Sequence, residues 1–233
     1  MFRYFISIGL AIFSGLVCFA QEPEAKKPSV VKMKHSFAPT GLRVGTDVIA
    51  LIRSRDNSFK GWEVNFDTDF YRYYLTVDYG YWATNQQLGN GNYHNQGNYI
   101  RFGADVNFLM KDPDRNMFFL GYRYGLSTFS ESVNYTNTAS YVGFGSTTIN
   151  TSNANVTGHW MEVTSGLRVK IISGFWMGFT ARLKFAPSAS GYGSLVSYDM
   201  PGYGIISKTP YWGFNYQLFW RIPLLKLKKD PIK

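Results

Sequence analysis

Apolar and polar residues alternate one by one along most of the chain after Gly41, and this period of two restricts the fold more than any other feature. In the segment GLRVGTDVIALIR, Leu42 and Val44 fall on one face and Arg43 falls on the other. Such alternation is typical of β-strands, whose successive side chains point to opposite sides. The pattern occurs eight times and predicts strands at 41–53, 61–67, 71–82, 98–109, 117–129, 159–171, 175–185 and 211–222.

The two faces of these predicted strands differ in charge. One face is apolar, rich in aromatic residues and uncharged, as in the series Phe118, Leu120 and Tyr122. An arginine or lysine that faces lipid at mid-bilayer costs roughly 2–4 kcal/mol, so a surface in lipid should be free of charge. The opposite face carries nine basic and six acidic residues: Arg43, Asp47, Glu63, Asp67, Arg72, Asp78, Arg101, Asp105, Arg123, Glu162, Arg168, Lys170, Arg182, Lys184 and Arg221.

The sequence therefore predicts an all-β fold, an eight-stranded antiparallel up-and-down transmembrane β-barrel with long extracellular loops. Its connections alternate in length: those at 67–70, 111–116 and 172–174 are short, whereas those after the first, third, fifth and seventh strands are longer. Short turns face the periplasm in such barrels, which places both termini there. Two soluble folds are alternatives. A lipocalin-like barrel would have the reverse arrangement, apolar inside and polar outside, and a β-sandwich explains the 18% aromatic content but not its clustering at strand ends.

The N-terminus predicts export. Arg3 precedes an apolar run that ends at Ala20, which indicates a signal peptide at 1–20, cleaved after Ala20. The alternatives are a lipoprotein signal acylated at Cys18 and an uncleaved anchor. The Pro- and Lys-rich stretch 21–40 is expected to be a periplasmic lead-in, 41–222 the barrel and 223–233 a basic periplasmic tail. The predicted location is the bacterial outer membrane.

Three segments carry a resemblance to known proteins: the export junction CFA followed by Gln21, the opening strand GLRVGTD, and the strand FLGYRYG after the turn KDPDRN. On these the chain resembles the small outer-membrane β-barrel proteins of Bacteroidota, including an uncharacterised family of about this length. The resemblance covers nearly the whole mature chain. It implies location and fold, and it implies no functional residue.

The inward charges predict a closed interior. Eight strands leave a lumen that side chains fill, so opposite charges should pair across it. The alternative is a narrow anion-preferring channel. The net charge of +9 suggests nucleic acid, but the basic residues alternate along strands and lie in both tails instead of forming a patch, so no nucleic-acid partner is predicted. No metal-ligand cluster or phosphate loop occurs, so no cofactor is predicted.

Two long connections, 130–158 and 186–210, are rich in Tyr, Ser, Gly and Asn, a composition suited to contact surfaces. We therefore expect a non-enzymatic docking or accessory protein, with outer-membrane lipid and another envelope protein as partners. The candidate loop contacts are Tyr135, Tyr141, Tyr192, Tyr198 and Tyr203. The alternative function is a lipid-modifying enzyme at the extracellular rim, which would need His94, His159, Asp199 and a serine such as Ser130 to converge.

Overall fold

The computed structural model describes residues 38–109, 112–138, 145–191 and 193–224. The predicted signal peptide, Cys18, nearly all of the lead-in and nearly all of the basic tail lie outside these residues. The described elements are β1 (Gly41–Asp47), α1 (Val48–Arg53), β2 (Phe59–Phe70), β3 (Tyr73–Leu88), β4 (Gly91–Asn107), β5 (Met117–Thr138), β6 (Ser146–Ile172), β7 (Phe175–Ser190), β8 (Asp199–Met200), β9 (Gly204–Ile205) and β10 (Tyr211–Pro223).

Eight of these strands form one antiparallel sheet that closes on itself as a barrel, in the order β1, β10, β7, β6, β5, β4, β3, β2. We call this closed sheet the ring. The first and last strands close it, with Gly41 opposite Pro223 and Asp47 opposite Gln217. The predicted all-β fold with eight antiparallel strands is confirmed. Among the described residues, no helix has the length and hydropathy needed to cross a membrane.

The ring has two different ends. The short connections at 71–72, 108–116 and 173–174 lie at one end, which we call the turn end. Both ends of the described chain also lie there, because the N–H of Leu224 donates to the carbonyl of Thr40 at 3.1 Å. The other end, the mouth, carries α1 and the connection 191–210.

Alternation along the strands separates the ring into a polar inner face and an apolar outer face. Asp78, Arg101 and Arg123 are each at most 2% exposed, whereas Leu120 is 50% exposed on the opposite face of its strand. The inside is not wholly charged. Tyr74, Met117 and Phe119 form a buried apolar cluster near the turn end.

The first predicted strand is wrong beyond residue 47, because Val48–Arg53 forms the helix α1. Apolar alternation continues through Val48, Ala50 and Ile52, so the sequence pattern did not mark the change. Asp47 explains it: its side chain accepts the N–H of Ile49 at 3.0 Å and caps the helix. A carboxylate at this position satisfies a helical N–H that a strand would have paired with its neighbour.

Two predicted loops are also wrong. The third and fifth strands continue past 82 and 129, so β3 and β4 meet at a tight turn at Gly89 and Asn90, and β5 and β6 pair out to Thr138 opposite Ser146. These extensions are polar on both faces, as in the run Thr147 to Ser152. They lack the apolar alternation from which strands are predicted, although their threonines favour extended structure.

The last connection, described at 191 and from 193 to 210, folds back over the mouth. Its short hairpin β8–β9 places Met200 and Tyr203 in a buried cluster with Tyr99, Phe129, Val156 and Trp160. Gly202 has φ of +83° and lies so close to Tyr99 and Trp160 that a side chain there would meet both rings. The mouth is therefore covered by the chain itself.

Candidate functional site

The structure buries twelve of the fifteen charged residues that the sequence placed on the inner face. They are Arg43, Asp47, Glu63, Asp67, Asp78, Arg101, Asp105, Arg123, Glu162, Arg168, Arg182 and Lys184. We call these the charge cluster. A buried charge without a partner is costly, so the arrangement of these groups decides whether the ring is stable.

Asp78 on β3 is the centre of the charge cluster. Its Oδ2 lies 2.5 Å from Nη1 of Arg123, 3.2 Å from Nη2 of Arg182 and 3.3 Å from Nε of Arg101. Its Oδ1 accepts the side-chain amide of Asn65 at 2.8 Å. One carboxylate thus has polar partners on four other strands, among them β7 on the far side of the ring, and Arg101 contributes to it as an ion pair.

Two glutamates continue the network toward the mouth. Glu162 accepts Nη1 of Arg182 at 3.0 Å and the indole N–H of Trp160 at 2.7 Å. Glu63 pairs closely with Arg101 and accepts the hydroxyl of Tyr99 at 2.7 Å. The aromatic residues therefore supply hydrogen bonds to carboxylates as well as apolar area.

A second group lies nearer the turn end, around Asp67. Arg43 donates to it from Nε at 2.6 Å and Arg168 donates from Nη1 at 2.7 Å. The guanidinium of Arg168 also lies 4.7 Å from the ring centroid of Phe219 and 4.9 Å from that of Phe119. Its charge is thus balanced by a carboxylate and by aromatic faces.

Three of the predicted inward charges are not in this core. Lys170 pairs with Asp114 at 2.8 Å at an exposed position of the turn end, and Arg221 lies 3.5 Å from Asp69. Arg72 is half-buried in the turn between β2 and β3. These three side chains therefore lie at the turn end, outside the charge cluster, although Arg221 keeps the inward parity of its strand opposite Arg43.

Sequence reasoning missed three buried acids: Asp69, Glu131 and Asp199. Glu131 accepts from the hydroxyls of Tyr93 at 3.0 Å and Ser197 at 2.5 Å. Asp69 and Glu131 have the same odd-numbered parity as the inward residues of their strands, and this signal was available. It was not used because the strands were predicted to end earlier.

These changes reverse the sign of the interior. Among the described residues, the buried charged side chains are six basic ones, Arg43, Arg101, Arg123, Arg168, Arg182 and Lys184, and nine acidic ones, Asp47, Glu63, Asp67, Asp69, Asp78, Asp105, Glu131, Glu162 and Asp199. The sequence predicted nine basic and six acidic. An interior with more acidic than basic side chains does not favour anions.

A cleft of about 440 Å³ lies at the mouth, between α1, β10 and the connection 191–210. Asp47, Glu63, Arg101 and Lys184 line its polar side. Its other lining residues include four aromatic rings, from Phe59, Trp82, Tyr99 and Tyr211, and the outward-facing Trp212 and Phe214. Its volume lies within the range of roughly 300–1,000 Å³ that is usual for small-molecule sites.

The candidate loop contacts do not lie together. Tyr135 and Tyr198 are exposed by 37% and 44%, whereas Tyr203 is fully buried, so the prediction that Tyr203 is a surface contact is wrong. It is buried because its ring fills the mouth beside Trp160, at 6.1 Å between centroids. Tyr141 and Tyr192 lie outside the described residues.

The residues proposed for a rim enzyme do not converge. His94 and His159 are exposed on the outside of β4 and β6, where His159 stacks on Tyr124 at 6.0 Å between centroids. Asp199 is buried on the inside of the mouth, and Ser130 is half-buried on β5. In the described part of the chain, no three His, Cys, Asp or Glu side chains are grouped to hold a metal ion.

These features define a class of protein, an all-β chain whose eight antiparallel strands close around a charged interior. The chain belongs to the family of the domain of unknown function DUF6048, whose model matches residues 1–227. No curated protein matches the sequence. The predicted membership of an uncharacterised family is therefore confirmed, and the bacterial group named for the resemblance stays a prediction.

Replacing Arg123 with methionine should destabilise the ring strongly, because Asp78 and Asp105 each lose a guanidinium partner inside it. Breaking a buried ion pair costs about 3–5 kcal/mol, whereas an exposed pair contributes about 0–1 kcal/mol. Lys170→Met is the matched control, since its pair with Asp114 is exposed. Urea unfolding should show a much larger loss for Arg123→Met. Equal losses would mean that the interior pair contributes no more than the exposed one.

Asp199 should make closure of the mouth depend on pH. Burial raises the pKa of its carboxyl to about 6, against the opposing effects of Lys184, Thr84, Asn95 and Arg53. An aspartate in an open connection has a pKa of about 3.9, so the closed form binds the proton more tightly. Closure is then most favourable below about pH 4, weakens as the pH rises to about 6 and stays constant above it.

The pH dependence of closure can be measured as hydrogen-exchange protection of residues 200–205, corrected for intrinsic exchange. Asp199→Asn should abolish the dependence of this protection on pH. Besides Lys184 and Arg53, two other titratable groups face this site: the Tyr93 hydroxyl, which contacts the backbone of Asp199, and Glu131, which accepts from Tyr93. A pH dependence that survives in Asp199→Asn would show that the Asp199 carboxyl does not cause it.

Proposed function

We propose that the protein is an outer-membrane β-barrel that performs no catalysis and docks another envelope component at its mouth. The observation that supports membrane insertion is the outer face of the ring. Leu75, Leu120 and Trp220 are 51%, 50% and 62% exposed, and similar side chains occur on every strand of the ring except β1, whose outward Leu42 and Val44 are half-buried. A continuous apolar surface of this kind marks contact with a membrane or a partner.

The height of this surface agrees with a bilayer. On β10 the outward series runs from Trp212 to Ile222. Eleven residues, tilted by about 40°, cover roughly 26 Å, close to the apolar band of about 25 Å on outer-membrane barrels. Aromatic rings flank it, with Phe175 stacked on Trp220 at the turn end and Trp62 beside Tyr79 toward the mouth. The turn end is then periplasmic.

The interior supports a closed barrel, not a channel. Guanidinium groups and carboxylates bridge opposite walls, as between Arg182 and Asp78. The hairpin β8–β9 fills the mouth above them. A barrel of eight strands has only enough internal space for side chains, and here the charge cluster occupies it.

The segment best placed for docking is the hairpin of β5 and β6. From Ser146 to Val156, β6 pairs only with β5, since its pairing with β7 begins at Thr157. We call Ser146–Ser152 the edge segment. Its sequence, STTINTS, contains no charge and no proline. Natural edge strands are usually blocked by lysine, proline or a bulge, and an unblocked edge can accept a strand from another chain.

Docking by strand addition would use the backbone N–H and C=O groups of the edge segment. Its alternate side chains, exposed in nearly all positions, would then distinguish one partner from another. Tyr135 lies opposite Ile149 on the neighbouring strand and is exposed, so it is available to such a partner. The predicted partner is therefore an extended segment of an envelope protein.

Leu120→Arg should prevent membrane assembly. If Leu120 lies at mid-bilayer, the charge costs about 2–4 kcal/mol. Ser194→Arg adds the same charge in the exposed connection at the mouth and should assemble normally. The measurement is the yield of folded protein in lipid vesicles, scored by resistance to protease. Equal yields would show that this surface does not face lipid.

Lysines in the edge segment should abolish docking. The variant Thr148→Lys with Asn150→Lys places two charges on the unpaired edge, whereas Asn92→Lys with Gln96→Lys places two on β4, which is paired on both sides. Photo-crosslinking from position 149, with the crosslinked protein identified by mass spectrometry, reports the contact. We expect loss of the crosslink in the first variant alone. Loss in both, or in neither, would exclude strand addition at this edge.

A further inference from the structure

The wall of the ring is incomplete near the mouth. β1 stops at Asp47, opposite Gln217, so β10 has no strand partner on that side from Tyr211 to Tyr216. The first residues of β2, from Phe59 to Glu63, also lack a partner there, since pairing with β1 reaches only Val64. α1 stands in the space between β10 and β2 that a longer β1 would otherwise fill.

The cleft at the mouth reaches this gap. It is lined by Ile49 and Ala50 of α1, which stands in the gap, and by Gly213 of β10, which borders the gap. It is also lined by Trp212 and Phe214, which are 58% and 55% exposed on the outer face. The same cavity therefore connects the outer apolar surface with the polar inside of the ring.

The polar side of the cleft holds charged side chains that form no ion pair with another described residue. Asp47 is buried and accepts from the side-chain amide of Asn215 at 2.6 Å and the N–H of Ile49 at 3.0 Å. Among the described residues, no cationic side chain pairs with it. Lys184 is buried as well, and its Nζ donates to the carbonyls of Gly202 and Tyr203 at 2.7 and 3.0 Å, not to a carboxylate.

Arg53 adds a second cation at the rim of the cleft. Its guanidinium lies 4.1 Å from the ring centroid of Phe59, and within the described ranges it forms no ion pair. The lining thus offers two carboxylates, Asp47 and Asp199, and two cations, Lys184 and Arg53, and no ion pair is formed by these four side chains among the described residues. A ligand that carries both signs of charge complements this lining better than an anion or a cation alone.

The outer side of the gap suits a hydrocarbon chain. Trp212 and Phe214 stack with 7° between their planes and 6.3 Å between their centroids, which makes a flat apolar surface below the cleft. Leu51 and Ile52 of α1, which are 46% and 60% exposed, extend this apolar surface on the helix. One molecule could therefore place its polar part in the cleft and its apolar part against the outer surface.

We propose that this lateral cleft binds a zwitterionic phospholipid, with its head group inside among Asp47, Lys184 and Arg53 and its acyl chain outside along Trp212 and Phe214. The ammonium of the head group would lie near Asp47 and the phosphate near the two cations. This proposal rests on the proposed membrane location. It adds a lipid site in the wall of a barrel whose docking surface lies elsewhere.

The test uses the full mature chain in vesicles of equal parts phosphatidylethanolamine and phosphatidylglycerol. After extraction in mild detergent, native mass spectrometry counts the lipids that stay bound. We expect one phosphatidylethanolamine per chain. A charge-assisted hydrogen bond contributes about 1.5–3 kcal/mol, so Asp47→Asn should lower its retention at least roughly tenfold.

Ala50→Phe should close the cleft and release the lipid, because Ala50 lines it. Val48→Phe, on the same helix and outside both the lining and the outer apolar surface, is the matched control and should retain the lipid. Equal retention of both lipids, or retention that Ala50→Phe leaves unchanged, would overturn the proposal. Protease protection in the same vesicles reports insertion separately: an inserted chain without bound lipid rejects the cleft alone, and a chain that does not insert rejects the membrane location as well.

Discussion

The narrow bore of the ring is the constraint on which the rest of the structure depends. Eight strands enclose space for side chains and little else, so each charge that points inward has to meet its partner inside. Five of the six buried cations in the described part of the chain are arginines. A guanidinium has five donors in a fixed plane and can bridge two carboxylates at once, as Arg123 does between Asp78 and Asp105. Lys184, the exception, lies at the mouth, where backbone carbonyls accept hydrogen bonds from its Nζ.

Glycines complete this fit on the inner face. A side chain at Gly125 would meet the indole of Trp160, and one at Gly80 would meet the ring of Tyr99. Both aromatic residues donate to glutamates of the charge cluster, so their positions matter for its electrostatics. Small residues on one strand thus make room for large ones on the next, and the large ones hold the carboxylates in place.

Much of this could be predicted from the sequence, because side-chain parity along a strand fixes the direction of each residue. Parity alone assigned Asp78, Arg123 and Glu162 to the inner face. It could not give their pairings, since Arg182 meets Asp78 only after the ring has closed with a particular register. Three features were missed for three reasons: an aspartate cap started α1, the polar hairpin of β5 and β6 has no apolar face, and the burial of Tyr203 depends on a cavity that other strands form.

The pairings across the lumen also bear on how the chain folds. Asp78 on β3 meets Arg182 on β7, and Asp67 on β2 meets Arg168 on β6. In the ring each of these two pairs of strands is four positions apart in either direction, so the partners lie diametrically opposite. An open sheet cannot form either contact, and it holds the same charges without their partners. Folding intermediates that lack the last strand are therefore stabilised little by the charges, whereas the closed ring forms all these contacts together. This favours a cooperative, late-forming transition state dominated by long-range contacts.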